Sequence, residues 1–178
     1  WTTLSLEIGC GNGFHPIQQA KSHPERGFLA IERTKNKFSS FENRFRNHNL
    51  PNLFPVEAEA INWLPANWFE GLNVDQLYFL YPNPYPKEKQ ANKRWHRSPF
   101  FHFLYQNLSR NFKLTFATNE KWLHQEAKNY FCHHWNLECL QDQRIHSDTP
   151  SGFQARTAFE KKYWEEGQPL YHLEFLRK

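Results

Sequence analysis

The chain contains no methionine, three cysteines and seven glycines in 178 residues, and no apolar run approaches the ~18 residues of a membrane span. No membrane partner is therefore expected, and a cytoplasmic location is. Cys10, Cys132 and Cys139 are odd in number and irregularly spaced, which argues against a disulfide framework. Cys132, His133, His134 and Cys139 lack the paired spacing of a zinc site, so no metal is expected. No signal-peptide pattern is visible. The chain opens on Trp1, directly in a strand-like pattern and without methionine, so an N-terminal segment is expected to precede it. With no internal repeat or low-complexity stretch, residues 1–178 read as a single domain large enough for a sizeable core.

What is present leans towards packing and anion binding. Hydrophobic residues make up 39% and aromatics 17%, a balance suited both to a core and to stacking on bases, and the net charge is +4. That charge favours polyanionic partners but is shared by many enzymes of neutral ligands. The scarce glycines are concentrated: Leu4 to Ile8 is a short apolar run that breaks into Gly9, Gly11 and Gly13, with a helical pattern behind. A strand turning at once into a helix beneath a ligand needs backbone without Cβ there. The amides of such a turn are expected to face outward and bind a polar ligand. Tight turns and dinucleotide sites use the same glycines.

A second acid sharpens the reading. Glu32 ends the apolar run Gly27 to Ile31, close to the roughly 20-residue interval at which an acid meets the ribose hydroxyls of an adenosine cofactor. Glu7 lies inside the first strand, where an unpaired carboxylate is costly. Either it faces the strand end and accepts from the turn or a ligand, or it is a satisfied core acid.

Further along, Phe14 to Ser22 predicts a helix stopped by His23-Pro24. Thr34 is expected to cap a helix that buries Phe38, Phe41 and Phe45. Leu53 to Val56 predicts a third strand, Glu57 to Leu64 a helical turn, and Val74 to Tyr81 a central fourth strand with Asp75 at its start. Ser98-Pro99 starts a helix continued by Phe101, Leu104 and Leu108. Phe112 to Ala117 reads as the fifth strand. Asn119 is expected to cap a helix turning Trp122, Leu123, Ala127, Tyr130 and Phe131 inward. Strands near Leu137 to Leu140 and Leu170 to Leu176 close an α/β fold whose mostly parallel sheet carries an antiparallel terminal strand.

The second informative stretch is Tyr81-Pro82-Asn83-Pro84-Tyr85-Pro86-Lys87, which leaves the fourth strand at the end where α/β sheets bind ligands. Its prolines stiffen the backbone around Asn83 and Tyr85. Lys87, Lys89, Lys93, Arg94 and Arg97 follow, either as a solvated surface or as phosphate contacts.

These residues resemble the tRNA (guanine-N7-)-methyltransferases. The resemblance runs through Leu6-Glu7-Ile8-Gly9, Ala30-Ile31-Glu32, Glu59-Ala60, the proline loop with Asn92-Lys93-Arg94, Ala117-Thr118-Asn119 and Thr157-Ala158-Phe159-Glu160-Lys161. It implies a Rossmann-like class I methyltransferase fold, seven-stranded with helices on both faces, that uses S-adenosyl-L-methionine. By position Glu7, Gly9, Gly11, Gly13, Glu32, Glu59 and Asn83 match the family's cofactor contacts. Lys87, Lys93, Arg94, Asn119, Thr157, Phe159 and Glu160 match its contacts to tRNA and guanine, and Asn83 is placed between the methyl and the purine as the catalytic position. Chemically, a carboxylate such as Glu160 can accept from guanine N1–H and the 2-amino group together; the segment also reads as an ordinary turn with a surface acid.

Two departures stand out: Asn83 and Asn119 occupy positions where the family carries aspartate. Guanine N7 has a free lone pair, so methyl transfer to it needs alignment and a suitable field rather than a base. The leading expectation is methylation of tRNA at guanine N7. Alternatives are an exocyclic amino or small-molecule acceptor, or a noncatalytic tRNA-binding relative. Whether the protein is a monomer or a homodimer stays open.

Overall fold

The computed structural model describes residues 1–68, 71–146 and 153–178. Hydrogen bonding orders seven strands as β3-β2-β1-β4-β5-β7-β6, and the chain divides into two compact units after Tyr78.

The first unit runs β1 (Leu4–Ile8), α1 (Phe14–Ser22), β2 (Gly27–Glu32), α2 (Lys35–Arg46), β3 (Leu53–Glu57), α3 (Ala60–Asn67) and most of β4 (Val74–Leu80). β1 pairs in parallel with β2 and with β4, and β2 with β3, so that Glu7 lies opposite Ala30 and Glu32 opposite Glu57. Alternating strands and helices force this parallel arrangement, because the chain must cross back before each new strand. The aromatic stripe of α2 supplies the packing. Phe41 is fully buried among Cys10, Ile17, Ala20, Phe28, Ala30 and Leu53, with Phe38 and Phe45 half-buried against that cluster. Asp75, at the start of β4, is held by both terminal nitrogens of Arg26.

The second unit follows the end of β4 with two short 3-10 turns, Glu88–Lys93 and Trp95–Arg97. Next come α4 (Pro99–Asn107), β5 (Lys113–Thr118), α5 (Lys121–Asn129), a π-helical turn (Tyr130–His134), β6 (Leu137–Ile145), α6 (Ala158–Glu165) and β7 (Leu170–Arg177). β7 runs antiparallel to both its neighbours, β5 and β6. The expected antiparallel terminal strand is therefore present, inserted between β5 and β6. Phe101, Phe112, Phe116, Phe131 and Phe175 are fully buried and form the aromatic core of this unit.

Several boundaries differ from the sequence expectation. Thr34 stands at the N-cap of α2 without a side-chain cap bond. Glu57 closes β3, and the helix behind it begins only at Ala60. Glu120, not Asn119, holds the N-cap place of α5, because the Asn119 amide is turned towards Gln168 Oε1 at 3.0 Å. β6 extends to Ile145; its polar stretch from Gln141 to Arg144 belongs to an edge strand whose side chains face water, so no apolar alternation marks it. Ser98 behaves as expected and accepts from the Phe100 amide, with Pro99 in the first turn. Among the described residues no helix is long and apolar enough to cross a membrane.

Gly13 is fixed by packing as well as by conformation. Its φ is +74°, and a Cβ built there lies 1.9 Å from the Phe41 ring. Gly11, at φ +60°, has nothing within 4 Å of such a Cβ. Gly11→Ala should therefore cost only the left-handed strain of about 1–2 kcal/mol, whereas Gly13→Ala adds an overpacking cost of about 1–3 kcal/mol. Urea denaturation of the two variants measures the difference.

Candidate active site

In the first unit the glycine turn is closed by its own hydrogen bonds. The Gly9 amide donates to Ile31 O at 2.8 Å and the Gly13 amide to Cys10 O at 3.1 Å, while the Gly11 amide donates to Glu32 Oε2 at 2.9 Å. The expectation of outward-facing glycine amides is corrected: all three are satisfied internally. What the turn offers a ligand is space, since a Cβ at Gly9 or Gly11 would meet nothing.

Glu32 and Glu7 adjoin that turn. Glu32 is buried; besides Gly11 it accepts from the Thr34 amide at 2.7 Å. A carboxylate has about four lone-pair positions, so two remain for hydroxyl donors. Glu7, also buried, accepts from His15 Nδ1 at 2.7 Å through Oε2. The imidazole edge meets the Tyr78 ring at 5.0 Å. His15 thus satisfies one oxygen of Glu7 from within the protein. Its Oε1 takes no hydrogen bond among the described residues. Glu59 occupies the N-cap of α3 and pairs with Arg33 at 3.0 Å, both groups being exposed. Burial, with the Glu7 and Glu32 charges beside it, pushes the Cys10 thiol well up, so it stays protonated and inert. The donor set fits an adenosyl cofactor: acceptors for hydroxyl and amino groups around a patch without side chains.

In the second unit the proline loop is held tightly. Tyr81 and Tyr85 both have left-handed φ, 53° and 46°. Asn83 is exposed, and its Oδ1 accepts from the Tyr85 amide at 3.2 Å. Lys87, Lys89 and Lys93 are exposed and form no ion pair among the described residues, Lys93 standing 5.8 Å over the Tyr85 ring. Arg94 is different. It is buried, donates from Nε and Nη2 to Tyr85 O at 3.2 and 3.0 Å, and from Nη1 to both oxygens of Glu126 at 2.8 and 3.0 Å. The expected phosphate role of Arg94 is thus corrected, because its guanidinium is spent inside the protein. Arg97 is likewise engaged, by Glu88 and Glu126.

The late motif also differs from expectation. Thr157 caps α6 by accepting from the Glu160 amide at 3.0 Å. Glu160 is fully buried and accepts from Tyr81 Oη at 3.1 Å, the Arg156 side chain at 2.9 Å and His172 Nε2 at 2.8 Å. An acid so saturated has no face for guanine, so its reading as a base reader is corrected, as is the alternative of a surface acid. Phe159 is exposed, with its ring stacked on Tyr163 at 6.2 Å. Burial alone would raise the Glu160 carboxyl, but bonds from His172 and Arg156 outweigh it and bring it down to about 2.

Sequence reading missed His15, Glu126 and His172. Glu126 was findable: Trp122, Glu126 and Tyr130 share one helical face, and an acid between two inward aromatics needs a cationic partner. His15 and His172 carried no local signal, since their partners come from other elements. The Glu160 carboxyl lies below its unfolded value, so its contribution is complete above about pH 4.5 and is lost as pH falls to about 2. Glu160→Gln should therefore be less stable than the parent by on the order of 3 kcal/mol near neutrality, a gap that closes between these limits in urea midpoints measured against pH.

The family model described as "Putative methyltransferase" matches residues 2–173. The tRNA (guanine-N(7)-)-methyltransferase of Chlorobium phaeobacteroides is 29% identical over 99% of this chain and 82% of its own length. The like-named protein of Bartonella quintana is 29% identical over 98% of this chain and 75% of its own length. Among solved structures, TrmN from Thermus thermophilus aligns with a TM-score of 0.69 at 13% identity, over 98% of this chain and 44% of that one. Precorrin-6y C5,15-methyltransferase from Geobacter metallireducens aligns with 0.66 at 12% identity, over 98% and 80%. The structural likenesses establish the fold, and the match across almost every residue establishes the kinship: this chain belongs to that methyltransferase family.

Proposed function

We propose that the protein transfers a methyl group from S-adenosyl-L-methionine to guanine N7 of a tRNA. The observation that carries this reading is the 29% identity with a tRNA (guanine-N(7)-)-methyltransferase over 99% of this chain. The glycine turn and proline loop, built as described above, support it.

When bound, the cofactor supplies an electrophilic methyl on a sulfonium. Glu32 would hold its ribose hydroxyls with the lone pairs that Gly11 and Thr34 leave over. Glu7 would take a donor on Oε1, Gly9 and Gly11 would let the ligand lie against bare backbone, and Glu59 would reach the adenine. Gly13 belongs to this site through the shape it gives the turn. In the second unit Asn83 would face the purine, with its amide dipole towards the positive charge that the ring gains as the methyl arrives. Lys87, Lys89 and Lys93 would neutralise phosphates, and Asn119, Thr157 and Phe159 would border the base. No proton need be removed from N7, so none of these side chains has to act as a base.

Incubation with methyl-labelled cofactor and unmodified tRNA should place label in RNA, released by cleavage at 7-methylguanosine; cofactor binding without labelled RNA would overturn the proposal. Changing Lys87, Lys89 and Lys93 together to Gln should reduce the salt slope of log Kd for tRNA by about 2–3. A small-molecule acceptor predicts activity indifferent to that change. Asn83→Asp should raise turnover by about tenfold if field strength is limiting, equivalent to ~1.4 kcal/mol of transition-state stabilisation. Absence of turnover in both forms, with tRNA still bound, identifies a noncatalytic relative.

A further inference from the structure

We propose that Glu126 is a positioning residue for the loop that carries Asn83: through Arg94 it fixes the Tyr85 peptide, and with it the stance of the Asn83 side chain. This rests on the reading of Asn83 as the residue facing the acceptor base.

The Tyr85 peptide is gripped from both sides. Its amide donates to Asn83 Oδ1, and its carbonyl accepts two N–H groups of Arg94. A tyrosine at φ 46° does not hold that conformation by itself, since a left-handed L-residue is strained by ~1–2 kcal/mol. The grip must supply what the backbone opposes. Arg94 transmits it because a guanidinium is rigid and planar: one edge faces Tyr85 O while Nη1 is locked to both oxygens of Glu126. The Trp122 ring, 4.9 Å from the guanidinium carbon, holds the plane from one side. Glu126 stands on α5, far along the chain from the loop, so a helix face rather than the loop's own sequence sets the geometry.

The remaining partners keep Glu126 charged. His96 Nε2 lies 2.9 Å from Oε2 and Arg97 Nη1 lies 3.0 Å from Oε1. Burial pushes the carboxyl up, but these bonds and the Arg94 charge hold it below the ordinary carboxylate range. Arg97 shares the carboxylate, but no Arg97 bond to Tyr85 is present among the described residues, which provides an internal control. Loss of the Glu126 charge should leave the cofactor cradle intact, since every hydrogen bond described there is made by residues of the first unit.

The test is Glu126→Gln in the full chain, read in three ways: hydrogen exchange at the Tyr85 amide, Kd for S-adenosyl-L-methionine, and kcat on unmodified tRNA. Expected are about tenfold faster exchange at Tyr85 and about tenfold lower kcat, with cofactor Kd within about twofold of the parent. Arg97→Gln should leave Tyr85 exchange at the parent rate. Arg94→Lys, which cannot span Tyr85 and Glu126 together, should reproduce the Glu126→Gln result and decides the matter if that variant fails to fold. Unchanged Tyr85 exchange in a folded Glu126→Gln or Arg94→Lys protein would overturn the clamp. Faster exchange with unchanged kcat would overturn the positioning role. Faster exchange in the variants of a parent that methylates no tRNA would instead overturn the reading of Asn83.

Discussion

A carboxylate withdrawn from water must be met by donors, and this structure is organised around four that are. Glu7, Glu32 and Glu160 are buried and Glu126 is half-buried, each where two segments of chain must be fixed against one another. An ionised carboxylate left without partners in such a place would cost several kcal/mol; none is left so. Glu32 ties the turn after β1 to the residues after β2. Glu7 ties β1 to the first turn of α1. Glu126 ties the proline loop to α5, and Glu160 ties the cap of α6 to Tyr81 and to β7. The functional segments are held by acids rather than by apolar packing alone. Acids suit this work because two oxygens can accept from several directions at once.

The same constraint sorts the cations. Arg94, Arg97 and Arg156 answer buried or half-buried carboxylates, a task for which a planar fork of donors is fitted. Lys87, Lys89 and Lys93 answer none among the described residues and stay in water. A run of five basic residues therefore splits into Arg94, which holds the loop, Arg97, which pairs with Glu88 and Glu126, and three exposed lysines. Net charge alone conceals this division.

Legibility followed the range of the interactions. The strands and the aromatic stripe of α2 were readable because apolar periodicity is written locally, and so was the order of elements. That the glycine turn and Glu32 come together was readable because an interval in sequence maps onto neighbouring strand tips. The errors fall where partners come from elsewhere. Arg94 looked like one more exposed cation until Glu126 was brought to it by α5. Glu160 looked free until Tyr81 and His172 enclosed it. Asn119 looked like a helix cap until Gln168 claimed its amide. In each case the residue type was right for the task assigned, and a contact distant in sequence gave it another.

The structure also bears on why amides can stand where the resembled family is expected to carry acids. At position 83 the side chain has two separable jobs under the proposed reading. One is to close the turn by accepting the Tyr85 amide, which Asn and Asp oxygens do equally well. The other is to face a purine that becomes cationic, where a full charge acts more strongly than a dipole. Only the second is weakened by the amide, so the loop keeps its shape while the field falls. At position 119 the amide nitrogen donates to Gln168 Oε1, a bond that a carboxylate could not make. The Asn119–Gln168 pair is thus matched internally, and Asn119→Asp would require Gln168 to turn its amide over and give up its bond to Glu166 Oε2. The two amides are therefore not equivalent: one leaves the local architecture indifferent, while the other has been built into it.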